Sequence, residues 1–255
     1  MNLRNALALT LVLGAATAAH AEDFIIGGTT VDASDPVASS TVLVTDGNFI
    51  CTGSIIDTDL VVTAAHCVAA PAETLKIVFA LDINGGIDKS AVLPITGYLA
   101  NPGWQGENSS GVDQHDIALI RVNGALPAGY HPATMLSSSA SSAIKKGDLT
   151  ELAGYGITNA ATQDGAGTLR EVSVKVSKQL GQTEVVLDQR QGKGACHGDS
   201  GGPAFAKVGG ELQLWGVTNR GYPDNAPDNC KEYAVYTRIE AYADFLSQAA
   251  AQLRK

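Results

Sequence analysis

Three short stretches of the chain carry residues able to do acyl-transfer chemistry: Val62-Thr-Ala-Ala-His-Cys67, Gln114-His-Asp-Ile-Ala-Leu-Ile120 and Gly194-Ala-Cys-His-Gly-Asp-Ser-Gly-Gly-Pro203. In the last of these, Ser200 offers a hydroxyl among small residues that leave its backbone open. A serine hydroxyl is a poor nucleophile unless a base receives its proton. His66 is the candidate base, because an imidazole titrates near neutrality and both takes and returns a proton. Asp116 is the candidate partner, a carboxylate that would hold the imidazole in one tautomer and stabilise the imidazolium. The carbonyl under attack develops negative charge, which the backbone N–H groups of Gly198 and Ser200 would meet. Glycine at 198 allows the unusual backbone and the close approach that such a role demands. His115, next to Asp116, reads as a surface or packing histidine, since adjacent residues point apart in a strand. His131 has no partner visible in the sequence.

Groups like these need a rigid body to aim them. The chain has 255 residues, 45% of them hydrophobic, enough for one globular unit or two packed halves. Its net charge of -9 argues against nucleic acid as a partner. The N-terminus runs from Met1-Asn-Leu-Arg-Asn through an apolar segment, Ala6 to Ala19, to the small-residue exit Ala19-His20-Ala21. That order reads as a cleavable secretory signal over residues 1–21, which would carry His20 away. No apolar run is placed to span a membrane in the mature chain. A secreted or periplasmic destination is oxidising, so Cys51, Cys67, Cys196 and Cys230, which lack zinc-type CxxC spacing, read as two disulfides. Four cysteines allow three pairings. The neighbour scheme, Cys51 with Cys67 and Cys196 with Cys230, is one of them, and pattern alone does not choose.

β-Branched runs recur between Gly, Asp, Asn and Ser clusters: Ser40 to Val44, Leu60 to Thr63, Leu75 to Phe79, Ile117 to Val122, Val172 to Val176 and Glu184 to Leu187. This spacing predicts an all-β, antiparallel sandwich or barrel. Only the end differs: from Arg238 to Leu246 the spacing of Ile239, Tyr242, Phe245 and Leu246 predicts one face of a docked helix. The serine run Ser137 to Ser142 reads as a surface connection between two halves, with a boundary near residues 137–145.

The three stretches together resemble the chymotrypsin-like serine proteases. The resemblance extends to Ile25-Ile-Gly-Gly28, Cys51-Thr-Gly-Ser54, Gly154-Tyr-Gly156 and Val235-Tyr-Thr-Arg238, so it covers nearly the whole mature chain. The chain order His66, Asp116, Ser200 also follows that family and differs from subtilisins and α/β-hydrolases. The resemblance implies two packed six-stranded β-barrels with the site between them, and an endopeptidase working through an acyl-enzyme. Taken singly, His66 could be a core histidine, Asp116 a turn residue and Ser200 part of a glycine-rich hairpin; all three family contexts together favour the catalytic reading. A catalytically silent binding protein on this scaffold is the competing class, and the intact triad weighs against it.

The resemblance also places Gly194 at the base of the primary pocket, where trypsin-like members carry an aspartate, so cleavage after Lys or Arg is not expected. Ala195, Gly221 and Ala234 are small and uncharged, which favours apolar P1 residues such as Leu, Phe, Tyr or Met. His197 at the rim and Asn219-Arg220-Gly221, where the family usually has Ser-Trp-Gly, keep acidic substrates as the runner-up. The segment from Ser177 to Lys193 is short and lacks a cysteine pair common in vertebrate members. Activation in the family implies that a freed Ile25 amine pairs with Asp199. That requires removal of a short propeptide, residues 22–24, by a cut between Phe24 and Ile25. The implied partners are protein or peptide substrates and protein protease inhibitors, with no membrane contact after signal removal and a monomeric state. No cofactor or metal is expected, and no calcium loop is evident, because Leu81 to Lys89 offers only Asp82 and Asp88 as carboxylates.

Overall fold

A computed structural model of the chain describes residues 25–106, 111–224 and 230–255. The signal segment expected over residues 1–21 and the propeptide expected over 22–24 lie outside the described residues. The chain is built from strands. After a two-residue β1 (Thr29–Thr30) come β2 (Thr41–Thr45), β3 (Cys51–Asp57), β4 (Leu60–Thr63), β5 (Lys76–Val78), β6 (Val92–Ala100) and β7 (Ala118–Val122). Antiparallel pairing in the order β2-β3-β4-β7-β6-β5 closes these six into a barrel. A connection containing α1 (Ser138–Ser141) leads to β8 (Leu149–Gly154), β9 (Arg170–Leu180), β10 (Glu184–Asp188), β11 (Pro203–Val208), β12 (Glu211–Tyr222) and β13 (Tyr233–Arg238). Here the order is β9-β10-β13-β12-β11-β8, and the β8 to β9 pairing closes the second ring, with β1 added to β9. The chain is therefore two closed six-stranded antiparallel barrels, as expected.

The strand β9 shows why the sequence folds this way. Val172, Val174 and Val176 point into the second barrel while Ser173 and Lys175 face outward, the period of two that one buried face imposes. In β2 and β4 the alternation disappears, because Val42, Leu43 and Val44, and Leu60, Val61 and Val62, are buried on both faces. One apolar cluster runs from the interior of the first barrel into Tyr155, Leu169, Phe205, Leu214 and Val217 of the second half. Tyr155 is fully buried and donates its hydroxyl to the Ala80 carbonyl of the first half at 2.9 Å. The barrels thus share a core.

The terminal helix forms with one modification. A 3-10 turn, Ile239–Tyr242, precedes α2 (Ala243–Leu253). Ile239, Tyr242 and Leu246 are buried as the spacing predicts, joined by Ala249, and Phe245 is half-buried. The helix docks on the first barrel, where Arg121 Nη1 donates to the Leu253 carbonyl at 2.8 Å and Arg254 pairs with Asp57 and Asp59. The serine run is less superficial than its composition predicts: Ser141 is buried, accepts from Trp215 Nε1 at 3.0 Å and donates to Glu240. The cysteines form the neighbour scheme, Cys51–Cys67 and Cys196–Cys230.

Candidate active site

His66 sits on a 3-10 turn, Ala65–Val68, that follows β4 directly, with Cys67 tied to the start of β3. Its backbone N–H donates to Asp116 Oδ1 at 3.0 Å and its Nδ1 lies 2.7 Å from Asp116 Oδ2. One buried carboxylate therefore grips both the main chain and the ring. An ionised carboxylate only accepts, so Nδ1 carries the proton and Nε2 is left as the basic nitrogen. Asp116 enters from the segment before β7. Its carbonyl accepts from Thr237 Oγ1 of β13 at 3.1 Å, a hydroxyl contact to the main chain rather than to the carboxylate.

That entering segment is bound to the second barrel residue by residue. Asp113 accepts from the N–H groups of Gln182 and Thr183 at 2.8 and 2.7 Å, and from Thr183 Oγ1 at 2.8 Å. Gln114 N–H donates to Glu184 Oε1 at 3.0 Å, and His115 Nδ1 lies 2.8 Å from the Tyr242 hydroxyl. His115 is thus a packing histidine, though not for the strand alternation expected of it, since β7 begins only at Ala118. Asp113 and His115 both hold positive φ, 58° and 56°. Such backbone persists for ordinary side chains where surrounding contacts over-determine it.

Ser200 stands in the turn before β11. Thr52 of β3 reaches across from the first barrel, its Oγ1 donating to the Gly198 carbonyl at 2.9 Å and its N–H donating to the Ser200 carbonyl at 2.8 Å. With both carbonyls drawn back, the N–H groups of Gly198 and Ser200 donate to no protein acceptor among the described residues. Gly198 has φ of +96°, and a Cβ there would stand 2.8 Å from the Gly156 Cα. Only glycine fits this turn.

A cleft of about 320 Å3 is lined by His66, Asp116 and Ser200 together with Ala195, His197, Asn219, Arg220, Gly221 and Ala234. Gly194 alone of the expected pocket residues does not line it. Beneath Gly194 lies Gln189, whose carboxamide would be 2.3 Å from any Cβ at 194. Gln189 is buried. Its Oε1 accepts from Ala195 N–H at 2.7 Å, and its Nε2 donates to the carbonyls of Ala195 and Cys230 at 3.1 and 3.0 Å. The neutral amide thus sits behind Ala195 and Cys230 of the cleft wall, with its hydrogen bonds already made there. Trp104, Gln114 and Thr218 also line the cleft. Sequence reasoning missed them, and missed Gln189 and Glu184, whose partners Cys230 and Arg220 lie far along the chain. His66 and His197 each lie near two sulfurs, but all four cysteines are in disulfides and offer no thiolate for a metal.

Asp199 is fully buried, accepting from Gly156 N–H and Cys196 N–H, each at 2.8 Å. Burial pushes its carboxyl up to about 7, while the two N–H donors and the Arg170 charge oppose that rise. Ile25 is likewise buried, its neighbour Ile26 bridging to Gly194.

The sequence matches the trypsin family over residues 25–246. It is 30% identical over 228 residues to coagulation factor XII of Rattus norvegicus, covering 79% of this chain and 37% of that protein. It is 25% identical over 227 residues to complement C1s subcomponent of Sus scrofa, covering 78% and 32% respectively. To CLIP domain-containing serine protease B4 of Anopheles gambiae it is 26% identical over 227 residues, covering 78% of this chain and 61% of the other. The chain thus spans from 32% to 61% of the length of these relatives.

Proposed function

The chain belongs to the trypsin family, and we propose that it is a secreted serine endopeptidase that cleaves peptide bonds after apolar residues. The observation that carries this reading is the double grip of Asp116 on His66, in the same cleft as Ser200. In the proposed cycle Ser200 Oγ attacks the scissile carbonyl and His66 Nε2 takes the hydroxyl proton. The oxyanion is held by Gly198 N–H and Ser200 N–H, and the proton passes to the leaving amine. Water then enters and attacks the acyl carbon as His66 Nε2 takes its proton; His66 returns that proton to Ser200 Oγ as the Oγ–acyl bond breaks and the carboxylic acid leaves.

Preference for apolar side chains is supported by the walls of the pocket. Ala195, Gly221 and Ala234 bring neither charge nor bulk, and the buried Gln189 amide behind Ala195 is neutral and already hydrogen-bonded. A Lys or Arg side chain entering there would lose its hydration without gaining a counter-charge. Activation by a cut between Phe24 and Ile25 is part of the same reading. The freed ammonium would pair with the buried Asp199 carboxylate and set the loop that carries Gly198 and Ser200. Protein protease inhibitors are the regulatory partners that fit such a cleft.

The test is cleavage of a peptide library by protein processed to begin at Ile25, with bonds read by mass spectrometry, alongside Ser200→Ala. Cuts after Leu, Phe, Tyr or Met that vanish in Ser200→Ala are expected. Dominant cuts after Lys or Arg would refute the pocket argument, and activity surviving in Ser200→Ala would refute the mechanism.

A further inference from the structure

Arg220 lines the cleft, yet its guanidinium is already engaged. Nη1 and Nη2 donate to Glu184 Oε1 and Oε2 at 3.0 and 3.2 Å, Nε donates to Asp224 Oδ1 at 3.0 Å, and Nη2 also reaches the Gly111 carbonyl at 2.9 Å. Glu184, at the start of β10, has no exposed surface. A carboxylate this far from water is costly unless donors surround it. It collects four: the two from Arg220, Gln114 N–H at 3.0 Å and Asn219 Nδ2 at 3.3 Å.

Two consequences follow from that one side chain. First, two carboxylates face one guanidinium, so the cleft wall at Arg220 has no net positive charge. An acidic peptide side chain arriving there meets a cation already neutralised from behind, with Asp224 beside it to repel. Second, Glu184 fixes Gln114, two residues before Asp116, so the element that neutralises the wall also holds the segment that orients His66.

We propose that Glu184 is a specificity-determining positioning residue: by binding Arg220 from behind the cleft and anchoring Gln114, it makes the site accept uncharged peptide side chains and reject acidic ones. This rests on the endopeptidase reading above, and deepens it by naming a residue outside the cleft that sets the substrate class.

The experiment uses processed full chain and quenched peptides carrying Glu or its neutral isostere Gln at each of the four positions before the cut bond. The readout is the ratio of kcat/KM for the Glu peptide to that for the Gln peptide. Wild type should disfavour Glu. In Glu184→Gln, Asp224 alone remains on Arg220, so the wall goes from net negative to neutral and Nη1 and Nη2 lose their ionised acceptor. The ratio should then rise roughly tenfold, the scale of one charge-assisted hydrogen bond, and the gain should shrink with added salt. Asp224→Asn, which alters an exposed carboxylate, should move the ratio about two- to threefold in the same direction. If Glu184→Gln fails to fold, Glu184→Asp carries the test: the shorter side chain cannot reach both Arg220 and Gln114, and a folded Glu184→Asp with an unchanged ratio overturns the proposal. Adding Arg220→Met to Glu184→Gln should return the ratio to the wild-type value.

A uniform loss of rate on all peptides with an unchanged ratio, or a gain that survives Arg220→Met, would overturn the proposal. Labelling of Ser200 by a fluorophosphonate separates the two readings. Wild type that is labelled and cuts peptides, with a ratio unmoved in the variants, sinks only the role of Glu184. Wild type that is neither labelled nor active sinks both.

Discussion

Gly198 combines two demands that no other residue meets: a φ of +96° and a Cα facing the Gly156 Cα so closely that a Cβ would stand 2.8 Å away. Replacing it by alanine strains the backbone and pushes on main chain, which cannot yield as a flexible side chain would. Gly198→Ala is therefore expected to lower kcat by about 100- to 1000-fold, the scale of losing one oxyanion donor, with KM little changed. Steady-state kinetics on a peptide ester would check this, and a loss confined to KM would contradict it. Ser200, His66 and Asp116 are legible in the sequence because each stands in a short run of its own and the three runs occur together in family order, although each alone has an ordinary structural reading. Glu184 and Gln189 are opaque for the opposite reason. Glu184 acts on an arginine 36 residues away, and Gln189 on the carbonyl of Cys230, 41 residues on. Arg220 shows the same limit, since its charge is visible in the sequence and its neutralisation is not.

At the scale of elements, β-branched runs reveal the strands whose two faces are both apolar or cleanly alternating. The run Leu60 to Thr63 coincides with β4, and Glu184 to Leu187 gives all but the last residue of β10. Strands β3, β6, β8, β11, β12 and β13 stay hidden because close packing in the barrels places small or breaking residues inside them. Gly53 lies where a Cβ would be 2.7 Å from Val61, and β6 carries Pro94 and Gly97 beside a shift of register. Pattern also left the cysteine pairing open, although the fold makes Cys196–Cys230 the stitch between the pocket wall and the approach to β13. Removing it as Cys196→Ala with Cys230→Ala opens a closure of sequence separation 34. This should cost about 3 to 4 kcal/mol of stability on the loop-entropy account. The same change loosens the carbonyl that holds Gln189, so discrimination among apolar P1 residues should weaken as well. Urea unfolding in a Ser200→Ala background measures the first effect and library cleavage the second. A variant that loses stability but keeps its P1 profile would show that Gln189 is held without the bridge.

For the whole molecule, the two barrels enclose carboxyl groups that are held far from their ordinary titration. Burial pushes Asp199 up to about 7. Glu171 on β9 is also raised to about 7, first by burial and then by the charges of Glu151, Asp35 and Asp32. A carboxyl with a raised folded-state pKa binds its proton more tightly in the folded chain. Between the ordinary values of 3.8 and 4.5 and about 7, the folded state therefore holds more protons than the unfolded state. Stability must fall as pH rises through that window. Asp57 and Asp59, gripped by Arg254, and Asp113, gripped by backbone N–H groups despite its burial, are shifted downward. Their contribution is complete above the ordinary carboxylate range and is lost only on acidification below it, so they do not mask the trend. Chain still carrying residues before Ile25, made as Ser200→Ala to prevent self-cleavage, should thus be most stable near about pH 5 and weaken toward pH 7.5 in urea unfolding. Glu171→Gln should make the decline shallower by removing one raised carboxyl. Cutting before Ile25 should remove most of the remainder, because the new ammonium stabilises Asp199 in its charged form and draws its pKa back down. A decline that persists unchanged after the cut would mean that the Ile25 amine does not reach Asp199, and the proposed activation would fall with it.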